Sequence, residues 1–351
     1  MKDLITIGIP VYNVEKYVEK ALLSALDQTY DNIEYIIVDD KGTDNSMFII
    51  NNIISNHPRG KDVKIIEHQD NIGTGAARND IINTANGKYI FYLDSDDEIL
   101  PDCIEKLYMK MQDEDVDFII GSFKILQRTG ETISDFIYDY PCIRGHLEIA
   151  WQYFEKRNRY VNIYAWNKLY KTSFLRDNNI YCIPNQYIED IIFLFQILLN
   201  AYSCAFITDI TYYYCDTPNS VVKQIKKNHT PYRICSQYTD IISFEWEYVQ
   251  NYRHERVYES LLSHIVFLIF YFSNEIRVSR IISSKEKKYF LKKITEFPIS
   301  FKEIFHLKRK RLFFFISRLI FKMPFNVLIF KFILDLSKLK KKIVNKKKIF
   351  I

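Results

Sequence analysis

Three carboxylates fall within four positions at Asp94-Ser95-Asp96-Asp97, directly after the run Tyr89-Ile90-Phe91-Tyr92-Leu93. That run is aromatic or branched without helical spacing, so it predicts a buried strand. A buried strand ending in carboxylates puts negative charge at the carboxyl edge of a sheet, where open α/β sheets take ligands. Carboxylates this close repel unless a cation neutralises them. Mg²⁺ or Mn²⁺ does so by bridging one or two of them to a substrate diphosphate. An acidic turn leading into a helix at Pro101 would account for the same residues without a ligand. Two further pairs bear on that choice. Asp39-Asp40 closes the apolar run Ile33–Val38, and Glu189-Asp190 opens the apolar run to Tyr202.

The surrounding periodicity supplies elements that could position these groups. Leu4–Val11 is a continuous apolar run, the pattern of a buried parallel strand. Val14–Gln28 carries apolar residues at helical spacing, Met47–Ile54 reads as helix, and Val63–Ile66 as a short strand. Thr74–Ala85 is the next helix and Lys88–Leu93 the central strand. Alternating strand and helix argue for an α/β fold with a mainly parallel sheet covered on both faces. Asp39-Asp40 and Asp94–Asp97 then lie along one edge of it. Further on, Pro101–Met111 predicts a helix, Asp117–Leu126 a strand, and Ile133–Tyr138 a weaker edge strand. Gly145–Lys156 reads as helix and Tyr164–Tyr170 as strand-like. Glu189–Tyr202 is a strongly apolar helix, with two short strands expected at Cys204–Ile207 and Thr211–Tyr214. From Thr230 only helical periodicity remains, which sets an expected boundary near residue 228.

The chain has 351 residues, enough for a large core, and its net charge of +5 is unevenly placed. Leu307–Ile351 holds fourteen Lys or Arg against one Asp, +13, leaving −8 on the preceding 306 residues. The acidic body argues against a nucleic-acid partner. The apolar stretch Leu312–Ile333 is broken by Arg318, Lys322, Pro324 and Lys331, so its longest charge-free run, Met323–Phe330, is well short of the ~20 residues of a bilayer span. It suits an interfacial segment with a polybasic end at Lys338, Lys340–Lys342 and Lys346–Lys348, attracted to an anionic membrane surface. The six cysteines are scattered without a Cys-x-x-Cys pair, so ordinary buried thiols are expected. No signal-like apolar run opens the sequence, and a cytoplasmic protein peripheral to the inner membrane face is the expectation.

Four stretches in order now need one explanation: Ile9-Pro10-Val11-Tyr12-Asn13, Val38-Asp39-Asp40 through Ser46, Asn71–Asn79 with its Gly73-Thr74-Gly75 turn, and Asp94–Asp97. Together they resemble the family-2 glycosyltransferases of the GT-A fold over roughly residues 3–220. The resemblance implies a nucleotide-sugar pocket formed by Pro10, Tyr12, Asn13, Asp39, Asp40, Arg78, Asp94 and Ser95. Asp39 would accept a hydrogen bond from a uracil-type ring N–H. Asp96, with Asp94, would ligate Mg²⁺ or Mn²⁺. Arg78 would either face the nucleotide or pair with a sheet-edge Asp. One departure is Lys41-Gly42, where the family usually has Gly-Ser. Trp166–Tyr170 and Glu189-Asp190 resemble the family's acceptor half, with Asp190 as the base that deprotonates the acceptor hydroxyl and Glu189 orienting it. Asn219-Ser220 resembles a segment near the diphosphate, and His229 is a further candidate contact.

With the boundary set by periodicity, the expected organisation is a GT-A domain over 1–228 and a helical region over 229–306, and charge marks a basic tail over 307–351, outside the resemblance. The implied reaction is an inverting, metal-dependent transfer from a UDP-sugar to a saccharide, expected to be lipid-linked, in bacterial surface-polysaccharide synthesis. A sugar nucleotidyltransferase is the enzymatic rival, but it wants a Gly-rich basic loop near the start. A non-catalytic nucleotide-sugar-binding protein at the membrane is the other, and gains nothing from clustered carboxylates. A dinucleotide dehydrogenase would need Gly-x-Gly-x-x-Gly after the first strand, which is missing here. Replacing Lys340–Lys342 and Lys346–Lys348 by Gln is expected to move the protein from the membrane to the soluble fraction on cell fractionation, and unchanged partitioning would refute tail-driven binding.

Overall fold

The computed structural model describes residues 2–157, 161–186, 188–217, 230–296, 299–308 and 310–322. The boundary expected near 228, Asn219, Ser220, His229 and the tail lysines from Lys331 onward lie outside the described residues.

The first half builds four parallel strands. β1 (Ile5–Val11) is followed by helix α1 (Val18–Leu26), β2 (Ile33–Asp39), α2 (Ser46–Asn56), β3 (Val63–Glu67), α3 (Thr74–Thr84) and β4 (Tyr89–Tyr92). They lie side by side as β3-β2-β1-β4. All of β1 is buried, because β2 and β4 flank it and helices cover its faces; hence its unbroken apolar sequence. α1 buries Val18, Ala21, Leu22, Ala25 and Leu26, one stripe at helical spacing. It starts later than its apolar pattern suggests, since Asn13 takes a left-handed conformation and Val14–Tyr17 form a turn. α3 packs close on β1 at Gly8, where a Cβ would lie 2.5 Å from Ile81 Cγ2. The β1–β4 ladder ends at Gly8 and Tyr92, two residues before Pro10, so the sheet opens where the proline could not donate.

The second half makes the sheet mixed. β5 (Glu98–Ile99), α4 (Cys103–Glu114), β6 (Phe118–Leu126), β7 (Thr132–Phe136), β8 (Ile143–Arg144), α5 (Glu148–Ala150), β9 (Lys168–Lys171), α6 (Thr172–Asp177), α7 (Asp190–Asn200) and β10 (Ser203–Cys215) complete it. The sheet continues from β4 as β9-β6-β10-β5, with β7 on β6 and β8 on β10. β9 is antiparallel to both β4 and β6, so it joins the two halves. The described residues after 229 are helical: Tyr232–Val249, Tyr258–Val278, Ser284–Ile294, Phe301–His306 and Arg311–Lys322. Tyr258–Val278 is long and apolar enough to cross a membrane, yet half of its apolar window is buried against the other helices. Tyr238 stacks on Phe272 at 4.0 Å within that bundle.

Three expectations are corrected. Cys204–Ile207 and Thr211–Tyr214 are one strand, β10, whose register against β6 shifts around the exposed Thr208-Asp209. The strand expected over Tyr164–Tyr170 is confined to its end, because Asn167 adopts φ +55° and breaks the extension. The helix expected over Gly145–Lys156 is one short turn continued by a π-type turn, Trp151–Glu155.

Asn167 also clamps the sheet. Its amide donates to the carbonyls of Gly121 (2.7 Å) and Ser122 (3.2 Å), and its carbonyl accepts from Thr211 Oγ1 (2.7 Å). A Cβ on Gly121 would collide with Thr211 Oγ1. Asn is among the few non-glycine residues that favour the left-handed region. Asn167→Ala, which strands buried polar groups and keeps the positive φ, is expected to lower unfolding free energy by about 3 kcal/mol in urea titration.

Candidate active site

The carboxylate stretch leaves β4 as a tight turn. Leu93 N–H still donates to Gly8 O at 3.0 Å, and Asp97 N–H closes the turn onto Asp94 O at 3.0 Å. The three Asp side chains then diverge. Asp97 is buried and accepts from Tyr212 Oη (2.8 Å) and Cys215 N–H (2.7 Å). Burial, with Asp96 and Asp94 adding, pushes its carboxyl well above the ordinary range. Asp96 keeps a third of its side chain exposed, and burial of the remainder plus the Asp94 charge push its pKa up to about 6. Asp94 turns towards α3, and Ser95 is buried between them.

There Asp94 meets Arg78. The Arg78 guanidinium donates through Nη2 to Asp94 Oδ1 (3.0 Å), and through Nη1 to Glu189 Oε1 (2.8 Å) and Asp190 Oδ1 (2.8 Å). Its side chain is 2% exposed, so of the two roles open to Arg78 the structure shows pairing with carboxylates, not a face turned to the nucleotide. Burial raises both Glu189 and Asp190, and Arg78 opposes the rise. Asp190 is 21% exposed against 9% for Glu189, so Asp190 is the member of the pair nearer solvent. It also accepts from Ala165 N–H at 3.3 Å.

The start of α3 is fixed from behind. Asp40, assigned to the nucleotide pocket on sequence, instead spends both oxygens on structure: it accepts from Ile72 N–H (2.9 Å), Gly73 N–H (2.8 Å) and His68 Nδ1 (2.7 Å). His68 Nε2 reaches Asp80 at 2.7 Å. Burial lowers the His68 pKa, but the two carboxylates outweigh it and the net shift is upward.

Across the sheet edge, Tyr12 is half exposed and Pro10 buried. Asn13 Oδ1 accepts from Thr43 N–H at 2.7 Å, and Asp39 Oδ1 from Gly42 N–H at 3.1 Å. Lys41 takes φ +60°, and a Cβ on Gly42 would sit 3.2 Å from Asn13 N and Oδ1. The Lys41-Gly42 substitution therefore keeps a tight turn, with the left-handed residue being lysine. Asp44 caps the loop, accepting from Glu15 N–H (2.8 Å) and Ser46 Oγ (2.6 Å).

Three residues without a role on sequence join this site. Arg128 lies 3.9 Å from the Tyr17 ring centroid, donates to Asp96 O (2.9 Å) and stands 3.6 Å from Asp96 Oδ2. Tyr212 receives Asp94 N–H (3.3 Å) and stacks on Trp166 at 4.5 Å, which stacks in turn on Tyr164. Lys168 is buried, donates to Asn162 Oδ1 and Tyr164 O, and burial drops its pKa to about 7 against the pull of Asp190. The Trp166–Tyr170 segment flagged the neighbourhood of Lys168; Arg128, in a loop of ordinary composition, gave no signal.

Among the described residues no group of three His, Cys, Asp or Glu side chains could hold a metal unaided. A divalent cation completed by a diphosphate would fit at Asp96, whose carboxylate is partly open and is raised by burial and by the Asp94 charge beside it.

A family model described as glycosyl transferase family 2 matches residues 6–160. The chain is 35% identical to the glycosyltransferase GlyA of Streptococcus pneumoniae over 48% of its length and 24% of the relative's. It is 32% identical to the poly(ribitol-phosphate) beta-glucosyltransferase of Bacillus spizizenii over 60% of its length and 32% of that protein's. It therefore spans about a quarter to a third of these curated relatives. In fold it is similar to S. aureus TarS 1-349 solved with UDP-GlcNAc, with TM-score 0.63, 19% identity and 90% and 87% of the two chains covered.

Arg78→Gln would leave three carboxylates without a cation, at a cost of about 3–5 kcal/mol near pH 7. Glu189 and Asp190, already raised by burial against the pull of Arg78, would rise further above their unfolded values in the variant, so the folded variant binds more protons and recovers stability as pH falls. Melting the variant and the wild type from pH 8 to 5 should show the gap narrowing; a constant gap would mean the three groups do not respond to Arg78.

Proposed function

Because the chain belongs to glycosyl transferase family 2 through residues 6–160, we propose that it transfers a sugar from a nucleotide-sugar donor, with UDP as the carrier, to a saccharide acceptor. The observation that carries this reading is the shared guanidinium of Arg78, which brings donor-side Asp94 and acceptor-side Glu189 and Asp190 onto one group. Donor and acceptor chemistry thereby meet in one place.

Tyr12, half exposed, would offer a ring face to a base, and Asp39, paired in the sheet with Val11, a carboxylate. Asp96 and the donor diphosphate would hold Mg²⁺ or Mn²⁺, which as a Lewis acid would offset charge on the departing nucleoside diphosphate. Asp190 takes the acceptor hydroxyl proton as that oxygen attacks the anomeric carbon, and inversion follows from a single displacement. Arg78 favours the ionised form of Asp190 against burial, while Glu189 accepts from the same guanidinium nitrogen. Lys168 contributes a titratable group near Asp190. The similarity to TarS solved with UDP-GlcNAc supports a nucleotide-sugar donor, and the poly(ribitol-phosphate) glucosyltransferase supports a bacterial surface polymer as context. A lipid-linked saccharide is the acceptor class that suits the basic tail.

Isothermal titration with UDP, GDP and dTDP, each with Mn²⁺ and with EDTA, tests the donor site. Metal-dependent UDP binding is expected, and lost in Asp96→Ala. Asp190→Asn should retain UDP binding while turnover of the matching UDP-sugar falls on the order of 10²–10⁴-fold. Folded protein that binds no nucleotide would instead favour the non-catalytic membrane reading and remove the role of Asp190.

A further inference from the structure

The helix Arg311–Lys322 is apolar on the side where a surface helix is ordinarily polar. Phe314 and Ser317 face inward and are buried, which satisfies its packing. Yet Leu312, Ile316 and Leu319, spaced by four and three residues, stand exposed on another side, with Phe313 beside them. Leu312 is 70% exposed. Phe305, on the preceding helix Phe301–His306, is also exposed and has its ring 6.5 Å from Phe315. A contiguous set of large apolar side chains of this kind marks an interaction surface.

The charge around it selects the partner. Lys308, Lys310 and Arg311 precede the stripe, and Arg318 and Lys322 accompany it. Some of these cations have internal contacts: Lys310 pairs with Glu155 at 2.7 Å, Arg311 Nε donates to Leu307 O at 3.1 Å, and Arg318 lies 5.3 Å from the Phe301 ring centroid. The 29 residues that follow Lys322 add eight Lys against one Asp. A second copy of the same face would bring two strongly cationic segments together. A surface that is both apolar and anionic accommodates the stripe and the charge at once, and a bilayer with acidic headgroups is such a surface.

We infer that Arg311–Lys322 is a membrane-docking helix, lying in the interface of an anionic bilayer with Leu312, Phe313, Ile316 and Leu319 inserted among the acyl chains. The polybasic end then adds attraction rather than supplying the whole of it.

The test uses the full chain, sedimented with phosphatidylcholine vesicles containing 30% phosphatidylglycerol by design, and with phosphatidylcholine alone (about the composition range over which basic segments respond). The variant Leu312→Ser/Ile316→Ser/Leu319→Ser alters exposed positions only, and unchanged melting and UDP titration confirm that its fold is intact. Wild type should bind the anionic vesicles, and the triple variant at least about tenfold more weakly. Tryptophan introduced as Phe313→Trp should shift its emission to the blue on adding those vesicles. Three results would overturn the inference: equal binding by wild type and triple variant, no binding by wild type, or a wild-type dimer in light scattering that the triple variant abolishes.

Discussion

One cation holds this site together. Arg78 comes from a helix of the first half of the sheet, Asp94 from the strand beside it, and Glu189 and Asp190 from a helix more than a hundred residues later. A buried ion cluster of this kind need not add net stability, because taking the charges out of water offsets their attraction. Its value is placement. Arg suits the position because its planar fork can donate to several carboxylates in fixed directions, which a lysine could not. Much else follows from keeping that guanidinium where it is. Gly8 lets α3 approach β1, and the Asp40–His68–Asp80 bridge pins the helix start.

The turn after β4 shows how environment separates identical residues. Asp94 is neutralised by an arginine, Asp96 is left partly open, and Asp97 is taken into the core by Tyr212 and Cys215. Three carboxylates within four positions thus have three electrostatic fates: paired, left partly open with the pKa raised, and driven towards the neutral acid. The aromatic stack of Tyr164, Trp166 and Tyr212 lies behind the turn, and Tyr212 hydroxyl ties it to both Asp94 and Asp97.

How much of this was legible in the chain depended on whether the signal was local. Strands β1, β2 and β4 and their terminal carboxylates were readable because burial on both faces writes itself as an apolar run. That Asp39 and Asp94 share one edge of the sheet followed from the alternation of strand and helix, whereas the order of the strands came only from the structure. Pairing of Arg78 with a sheet-edge Asp was one of two readings open on sequence, and Asp94 is that partner; Glu189 and Asp190 were not readable as partners, since they lie 111 and 112 residues away. Asp40 looked equivalent to Asp39 in sequence, but successive residues leaving a strand point in opposite directions, and Asp40 faces the start of α3. β10 read as two strands because the exposed Thr208-Asp209 interrupts its apolar pattern without ending its pairing. Asn167 was quoted within a motif, yet its left-handed backbone and clamp role have no one-dimensional signature.

The position of β9 has a consequence for how the molecule can be divided. The stretch matched by the family model ends at residue 160, and β9 begins at Lys168. Without β9, β4 and β6 would each lose the neighbour that joins them, and Arg78 would be buried without Glu189 or Asp190. The recognisable module is therefore not a folding unit. Its native pairing closes only when the chain has been made past β10, and until then the nascent first half presents open strand edges and an uncompensated guanidinium. A fragment cut at residue 160, where the family-model match ends, would leave those edges and that guanidinium open.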